Sequence, residues 1–111
     1  MNGSGKRNKG QRGEREAATL LSDELGFIVE RNLDQTRNGG SDLTIGKWQI
    51  EVKRHERGTA AIDKWFQQSI ESCKPFSGER PAVMFRKSNQ AWKVCISLKD
   101  FIYLVRETFD E

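Results

Sequence analysis

Apolar positions recur at helical spacing along "RGEREAATLLSDEL", residues 12–25, where Ala17, Ala18, Leu21 and Leu25 form one stripe. Gly26 stands where a left-handed residue would end that helix. Residues 27–33, "FIVERNL", read as a strand, and "DQTRNGGSD" follows as a polar loop with turn chemistry at Asn38-Gly39-Gly40. A short strand from residue 42 and a longer one over 47–54 predict a hairpin around Gly46-Lys47. Within the second strand, Trp48, Ile50 and Val52 share one face and Gln49, Glu51 and Lys53 the other. A helix over 61–74, with Ile62, Trp65, Phe66, Ser69, Ile70 and Cys73 on one side, is expected to cover the apolar face, and Pro75 ends it.

The second half continues the alternation of elements. "AVMFRK", residues 82–87, is apolar enough for a central strand, and "AWKVCI", residues 91–96, alternates. "LKDFIYLVRETF", residues 98–109, has a spacing that favours a closing helix over a strand, with Phe101, Ile102 and Phe109 assigned mostly to the core. Trp65, Trp92 and Phe85 also read as core. The resulting order is α-β-β-β-α-β-β-α, an α/β arrangement of helices flanking a mixed β-sheet.

Composition narrows this picture. The chain has 111 residues, 35% hydrophobic and 32% charged, which suits one polar but folded domain. Residues 1–11 read as a flexible basic tail and 12–111 as a single domain. The formal net charge is only +3, but residues 1–13 carry Lys6, Arg7, Lys9 and Arg12 without an acid. That segment is either a solvated tail or an arm for phosphates. Cys73 and Cys95 form no CxxC pair, so a zinc site is not expected and buried free thiols are. No apolar run is long enough to span a membrane and the first residues lack the core of a signal peptide. The expected location is cytoplasmic, at nucleoid or intracellular viral DNA.

The acids supply the chemistry. Glu14 lies on the apolar stripe of the first helix, four residues before Ala18 and seven before Leu21, whereas Glu16 points further from it. A carboxylate at such an edge needs a partner or a role; the plain alternative is a favourable charge in a helix's first turn. Asp42 opens one hairpin strand, and Glu51 and Lys53 are neighbours on a face of the other. A hairpin of this length can bring Asp42 towards Glu51. Two converging carboxylates, with the Val52 carbonyl, offer oxygen ligands for a hard cation with positions left for water and phosphate. Lys53 would then stand beside the metal as a mobile charge. The competing reading is an exposed strand face whose ion pairs contribute about 0–1 kcal/mol.

Taken together, "KGQRGERE", "LGF", "GGSD" and "IEVKR" resemble the PD-(D/E)XK nuclease superfamily, and most closely the Holliday junction resolvases of archaeal and phage type. The resemblance covers most of the chain and implies a restriction-endonuclease-like nuclease domain over 12–111. It assigns Glu14, Asp42, Glu51 and Lys53 to the catalytic set, with Asp42, Glu51, Val52 and Glu14 about the metal. Gln67 and Gln68, in "WFQQS", match a glutamine that related nucleases place in the helix after the E-x-K motif. Position 41 departs from the pattern, with Ser where proline is common. What the resemblance implies is hydrolysis of DNA phosphodiesters with Mg2+, Mn2+ being a substitute, by a homodimer acting on branched, four-way DNA. Lys6, Arg7, Lys9, Arg12, Arg15, Arg37, Arg54 and Arg57 are the candidate phosphate contacts. His55 follows on the same strand and reads as a surface histidine. Other nucleases of the superfamily, a non-catalytic DNA-binding module and a structural protein remain the alternatives.

Overall fold

The computed structural model describes residues 3–33, 40–55 and 61–109, with side chains from residue 10 onward. Helix α1 covers Gly3–Leu25, strand β1 Leu43–Ile45, strand β2 Trp48–His55, helix α2 Ile62–Ser72, strand β3 Arg80–Lys87, strand β4 Lys93–Cys95 and helix α3 Leu98–Phe109. The four strands form one mixed sheet in the order β1-β2-β3-β4. β1 and β2 are antiparallel, β2 and β3 parallel, β3 and β4 antiparallel. The parallel pair needs a crossover, and α2 lies within it. The expected α/β fold, a mixed sheet flanked by helices, is the one observed.

Local chemistry accounts for the boundaries. Gly26 closes α1 with φ of +80°, its N–H donating to the Ser22 carbonyl at 3.0 Å. Gly46, at φ +56°, makes the tight hairpin turn between β1 and β2. The helix expected from residue 12 extends back through the basic segment to Gly3.

Residues 27–33 do not form the strand that their composition suggests. They run extended past the sheet with one isolated bridge, Arg31 to Leu43, and one hydrogen bond from Asn32 N–H to the Asp42 carbonyl. Only Val29 is buried, while Phe27, Ile28 and Leu33 are exposed. The segment is fixed instead by Ser22, whose hydroxyl oxygen accepts from Val29 N–H at 2.8 Å.

The two helices cover the sheet in the opposite sense to that expected from sequence. α1, not α2, packs on the face of Ile50 and Val52, where Ala17 and Ala18 meet Leu43, Ala82 and Met84. The small alanines let the helix approach closely. α2 packs on the other face, where Trp65 joins Val83 and Phe85. β3 is apolar on both faces over Ala82, Val83, Met84 and Phe85, so it needs cover on both.

Ser69 joins α2 to the sheet. Its buried hydroxyl lies 2.9 Å from the Gln49 carbonyl and 3.0 Å from the Ala82 carbonyl, and accepts from Ala82 N–H at 3.0 Å. Ser69→Ala leaves a buried N–H and carbonyls without this partner and is expected to cost about 1–3 kcal/mol. A drop in the urea midpoint at unchanged slope checks it; an unchanged midpoint counts against the role.

α3 departs most from expectation. Phe101, Ile102 and Phe109 are exposed, and the buried residue of the helix is Asp100. Asp100 pairs with Arg80, whose guanidinium stacks 4.0 Å from the centre of the Tyr103 ring. Ser97 caps the helix by accepting from Asp100 N–H at 3.0 Å. These polar contacts, not burial of the apolar stripe, set the rotation of α3. Cys73 and Cys95 are free but half-buried rather than buried, and burial pushes both thiols up. Trp65 and Phe85 are core as expected, and Trp92 packs at its margin.

Candidate active site

The β1–β2 register determines the site. Leu43 pairs with Ile50, Thr44 with Gln49 and Ile45 with Trp48. One residue outside this ladder, Asp42 N–H donates to the Ile50 carbonyl at 3.1 Å. Opposed residues of an antiparallel pair present their side chains on one face. Leu43 and Ile50 thus go to the core under α1, Glu51 goes to the other side by alternation, and a side-chain hydrogen bond joins Asp42 to it. Lys53 is two residues on, on the same face. The parallel register with β3 puts Glu51 beside Val83 and Lys53 beside Phe85.

Asp42 is 8% exposed, and Val52 N–H donates to its Oδ2 at 2.8 Å. The carboxylate is thereby locked onto the strand that carries Glu51. Strand residues direct their N–H and C=O to the same side. The Val52 carbonyl therefore faces the β1 edge too, where Asp42 lies.

Glu51 has the most perturbed carboxyl, with its pKa pushed up from 4.5 to about 7. Burial is the largest cause; the charge of Asp42 and a hydrogen bond with it add to this, as does the charge of Glu14. Lys53 acts the other way, favouring the ionised form. The charges of Asp42, Lys53 and Glu14 thus all bear on Glu51.

The linkage has a measurable sign. Below about pH 4.5, Glu51 is protonated in both folded and unfolded chains. Between 4.5 and about 7 the folded chain retains a proton that the unfolded chain has lost, so stability falls as pH rises through this window and is level above it. Glu51→Gln removes that dependence and is expected to stabilise the protein at about pH 8 by about 1–2 kcal/mol, after discounting for solvent screening at a half-exposed site. Urea unfolding of both proteins across pH checks it; parallel pH profiles would refute it.

Behind Asp42 is a polar network. Ser41, fully buried, donates towards Gln49 Oε1 at 2.6 Å and the Leu43 carbonyl at 3.0 Å. Asn32 Nδ2 donates to the Ser41 carbonyl and to Thr44 Oγ1, Thr44 donates to Gln49 Oε1, and Gln49 Nε2 donates to Glu79. Ser41 thus ties the start of β1 to Gln49 of β2 and to Asn32 by hydrogen bonds.

Two arginine–glutamate arrangements escaped sequence reading. Glu14 is bonded by Arg31, with Nη2 3.3 Å and Nε 3.4 Å from Oε1. Glu16, which helical phase seemed to point away, clamps α1 to the sheet: Arg86 reaches Oε1 at 2.8 Å and Arg54 Nη1 lies 3.9 Å from Oε2. Neither partner is visible in sequence, because each pair joins distant segments.

The remaining candidates divide. Arg54 is mostly turned inward, its Nε buried without a partner and its stem against Gly13. Gln67 and Gln68 are exposed; Gln67 donates to Glu71 on its own helix, and neither is among the groups acting on Glu51. Arg12 and Arg15 are exposed on α1, and Arg15 donates to Gln11. Arg15 and Arg31 line an open groove of about 490 Å³ with Ala18, Thr19, Val29 and Leu33. Arg37 and Arg57 lie outside the described residues, as do the side chains of Lys6, Arg7 and Lys9. His55 stacks on Trp65, with ring centres 4.5 Å apart.

Among the described residues, no group of three or more His, Cys, Asp or Glu side chains is arranged to hold a metal ion. None of their helices is long and apolar enough to cross a membrane. In comparisons with known proteins, the family model described as "Phage putative PDDEXK endonuclease" matches residues 5–109. No curated protein and no solved structure matches the chain.

Proposed function

The chain belongs to the phage PD-(D/E)XK endonuclease family, and from that premise we propose that it is a divalent-metal-dependent endodeoxyribonuclease that resolves four-way DNA junctions. The observation that carries the proposal is the side-chain hydrogen bond that joins Asp42 to Glu51, with Lys53 one step along the Glu51 face. Fold and family support nuclease chemistry in general; junction selectivity and metal dependence rest on the resemblance of "GGSD" and "IEVKR" to resolvases.

The donor set fits a hard cation. Asp42 and Glu51 would hold it together with the Val52 carbonyl, and Glu14 would stand at its margin. Two carboxylates and a carbonyl suit Mg2+, which keeps several waters and shares itself with phosphate. The crowding that raises Glu51 is relieved when a cation replaces the shared proton. When bound, the ion would polarise the scissile phosphate and acidify a water. Mn2+ offers the same oxygen chemistry.

The protein's own residues do the rest. Lys53 donates to a non-bridging phosphate oxygen and stabilises charge as water attacks phosphorus. The bond from phosphorus to the 3′-oxygen breaks, the 3′-oxygen takes a proton from solvent, and a 5′-phosphate remains. Arg12, Arg15 and the groove at Arg31 hold flanking phosphates. A homodimer would bring two such sites to opposed strands of a two-fold substrate.

The test is incubation with labelled four-way junction, matched duplex, single strand and flap, with Mg2+ or with chelator. Paired symmetric nicks in the junction alone, dependent on Mg2+, are expected. Equal cutting of duplex would replace junction selectivity with general nuclease activity. Binding without cleavage under all conditions would favour a DNA-binding module.

A further inference from the structure

The Glu51 face of β2 does not end at Lys53. His55, the last residue of the strand, is the next position on it, roughly 6.6 Å beyond Lys53 along the backbone. Its imidazole stacks on Trp65 of α2, with ring centres 4.5 Å apart and planes 31° apart, and Trp65 in turn meets Phe85 at 6.2 Å. The three rings make a short column that runs outward from the core. Trp65 and Phe85 are buried whereas His55 is exposed, so the imidazole is its outermost ring.

A histidine at the end of a strand ordinarily turns among several rotamers. Here Trp65 holds one face of the ring, and the opposite face is turned from the core. The rotamer freedom of this flat surface is therefore lost in folding, before any ligand arrives.

The neighbours of the ring indicate the ligand. Lys53 lies on one side, and the parallel register sets exposed Lys87 directly beside His55 on the same face. A flat ring between two ammonium groups, on the face that carries Glu51, matches a nucleotide, with its base on the ring and flanking phosphates on the lysines. The separation of Lys53 from His55 corresponds to about two steps of the 3.4 Å rise of a DNA strand. A base inside a duplex has both faces covered by its neighbours, so only an unstacked base can lie on the imidazole.

We propose that His55 is a stacking platform for an unpaired base one or two nucleotides from the scissile phosphate, and thereby a residue through which the protein prefers branched DNA to plain duplex. This rests on the nuclease reading, in which Lys53 marks the scissile phosphate. Its test reads binding in chelator, so a platform without cleavage and cleavage without a platform are distinguishable.

Affinities of the full chain for a labelled flap DNA and for matched duplex, measured by fluorescence anisotropy in chelator, decide it. His55→Ala is expected to lower the preference for flap over duplex about 10-fold, through loss of one base–ring stack. His55→Phe, which keeps a flat ring without the ring nitrogens, should retain the preference to within about two-fold. An abasic nucleotide walked through the flap should, at one position, reproduce the loss in the wild type and add nothing to it in His55→Ala. A ring that only covers Trp65 would shift the urea midpoint of His55→Ala and leave the preference unchanged; that result would overturn the proposal. So would a wild type without preference for flap, a His55→Phe protein that behaves as His55→Ala does, or additive effects of the abasic nucleotide and His55→Ala.

Discussion

Asp42→Asn and Glu51→Gln are each expected to lower cleavage by at least about 10³-fold while leaving junction binding in chelator intact. Asparagine retains an oxygen that can accept from Val52 N–H, so the hairpin that Asp42 stabilises should persist. What disappears is a negative charge at a buried position, which no neighbouring group replaces as an oxygen ligand. Glutamine at 51 similarly keeps shape and loses charge. In the proposed mechanism the two carboxylates act as one donor set, so the double variant should be little worse than either single one. Nicking assays in Mg2+ with parallel binding assays in chelator check this. Near-normal cutting by both variants would remove the site from the chemistry.

Lys53→Met is expected to cost about 10²–10³-fold in kcat, with little change in KM. Methionine fills much of the same apolar space beside Phe85, so the strand should keep its packing. The lost ammonium acts on two partners: it favours the ionised form of Glu51, and in the proposed mechanism it binds phosphate as charge builds. Loss of kcat at unchanged junction affinity distinguishes a group working in the transition state from one that only holds DNA. Lys53→Arg should not restore full activity, because a planar fork does not present a point charge in the same place. A variant with wild-type kcat would assign Lys53 to the surface ion pair that strand alternation alone allows.

Residues near one another in sequence were readable because their geometry is local. A hairpin about Gly46 fixes which strand residues oppose, from Leu43 with Ile50 to Ile45 with Trp48, and brings Asp42, one residue outside that ladder, near Glu51. The end of α1 at Gly26 and the two-sided burial of β3 follow from residue type in the same way. The segment 27–33 shows the limit. Its β-branched and aromatic residues satisfy strand propensity, but Ser22 captures Val29 and leaves the flanking apolar side chains outside the sheet.

By itself, then, the sequence determined the element types outside residues 27–33 and the alternation of β2, and it singled out Glu14, Asp42, Glu51 and Lys53 as candidates. Tertiary structure alone decided which helix covers which face. Ile50 and Val52 present an apolar surface that either helix could bury, and the choice fell to the fit of Ala17 and Ala18 against it. It also decided the partners of Glu14 and Glu16, since Arg31 lies 17 residues and Arg86 70 residues away along the chain. Most of all it decided the orientation of α3. Periodicity shows that a helix has an apolar stripe, not which way the stripe points. Here the pairing of Asp100 with Arg80 turned that stripe away from the domain's own core.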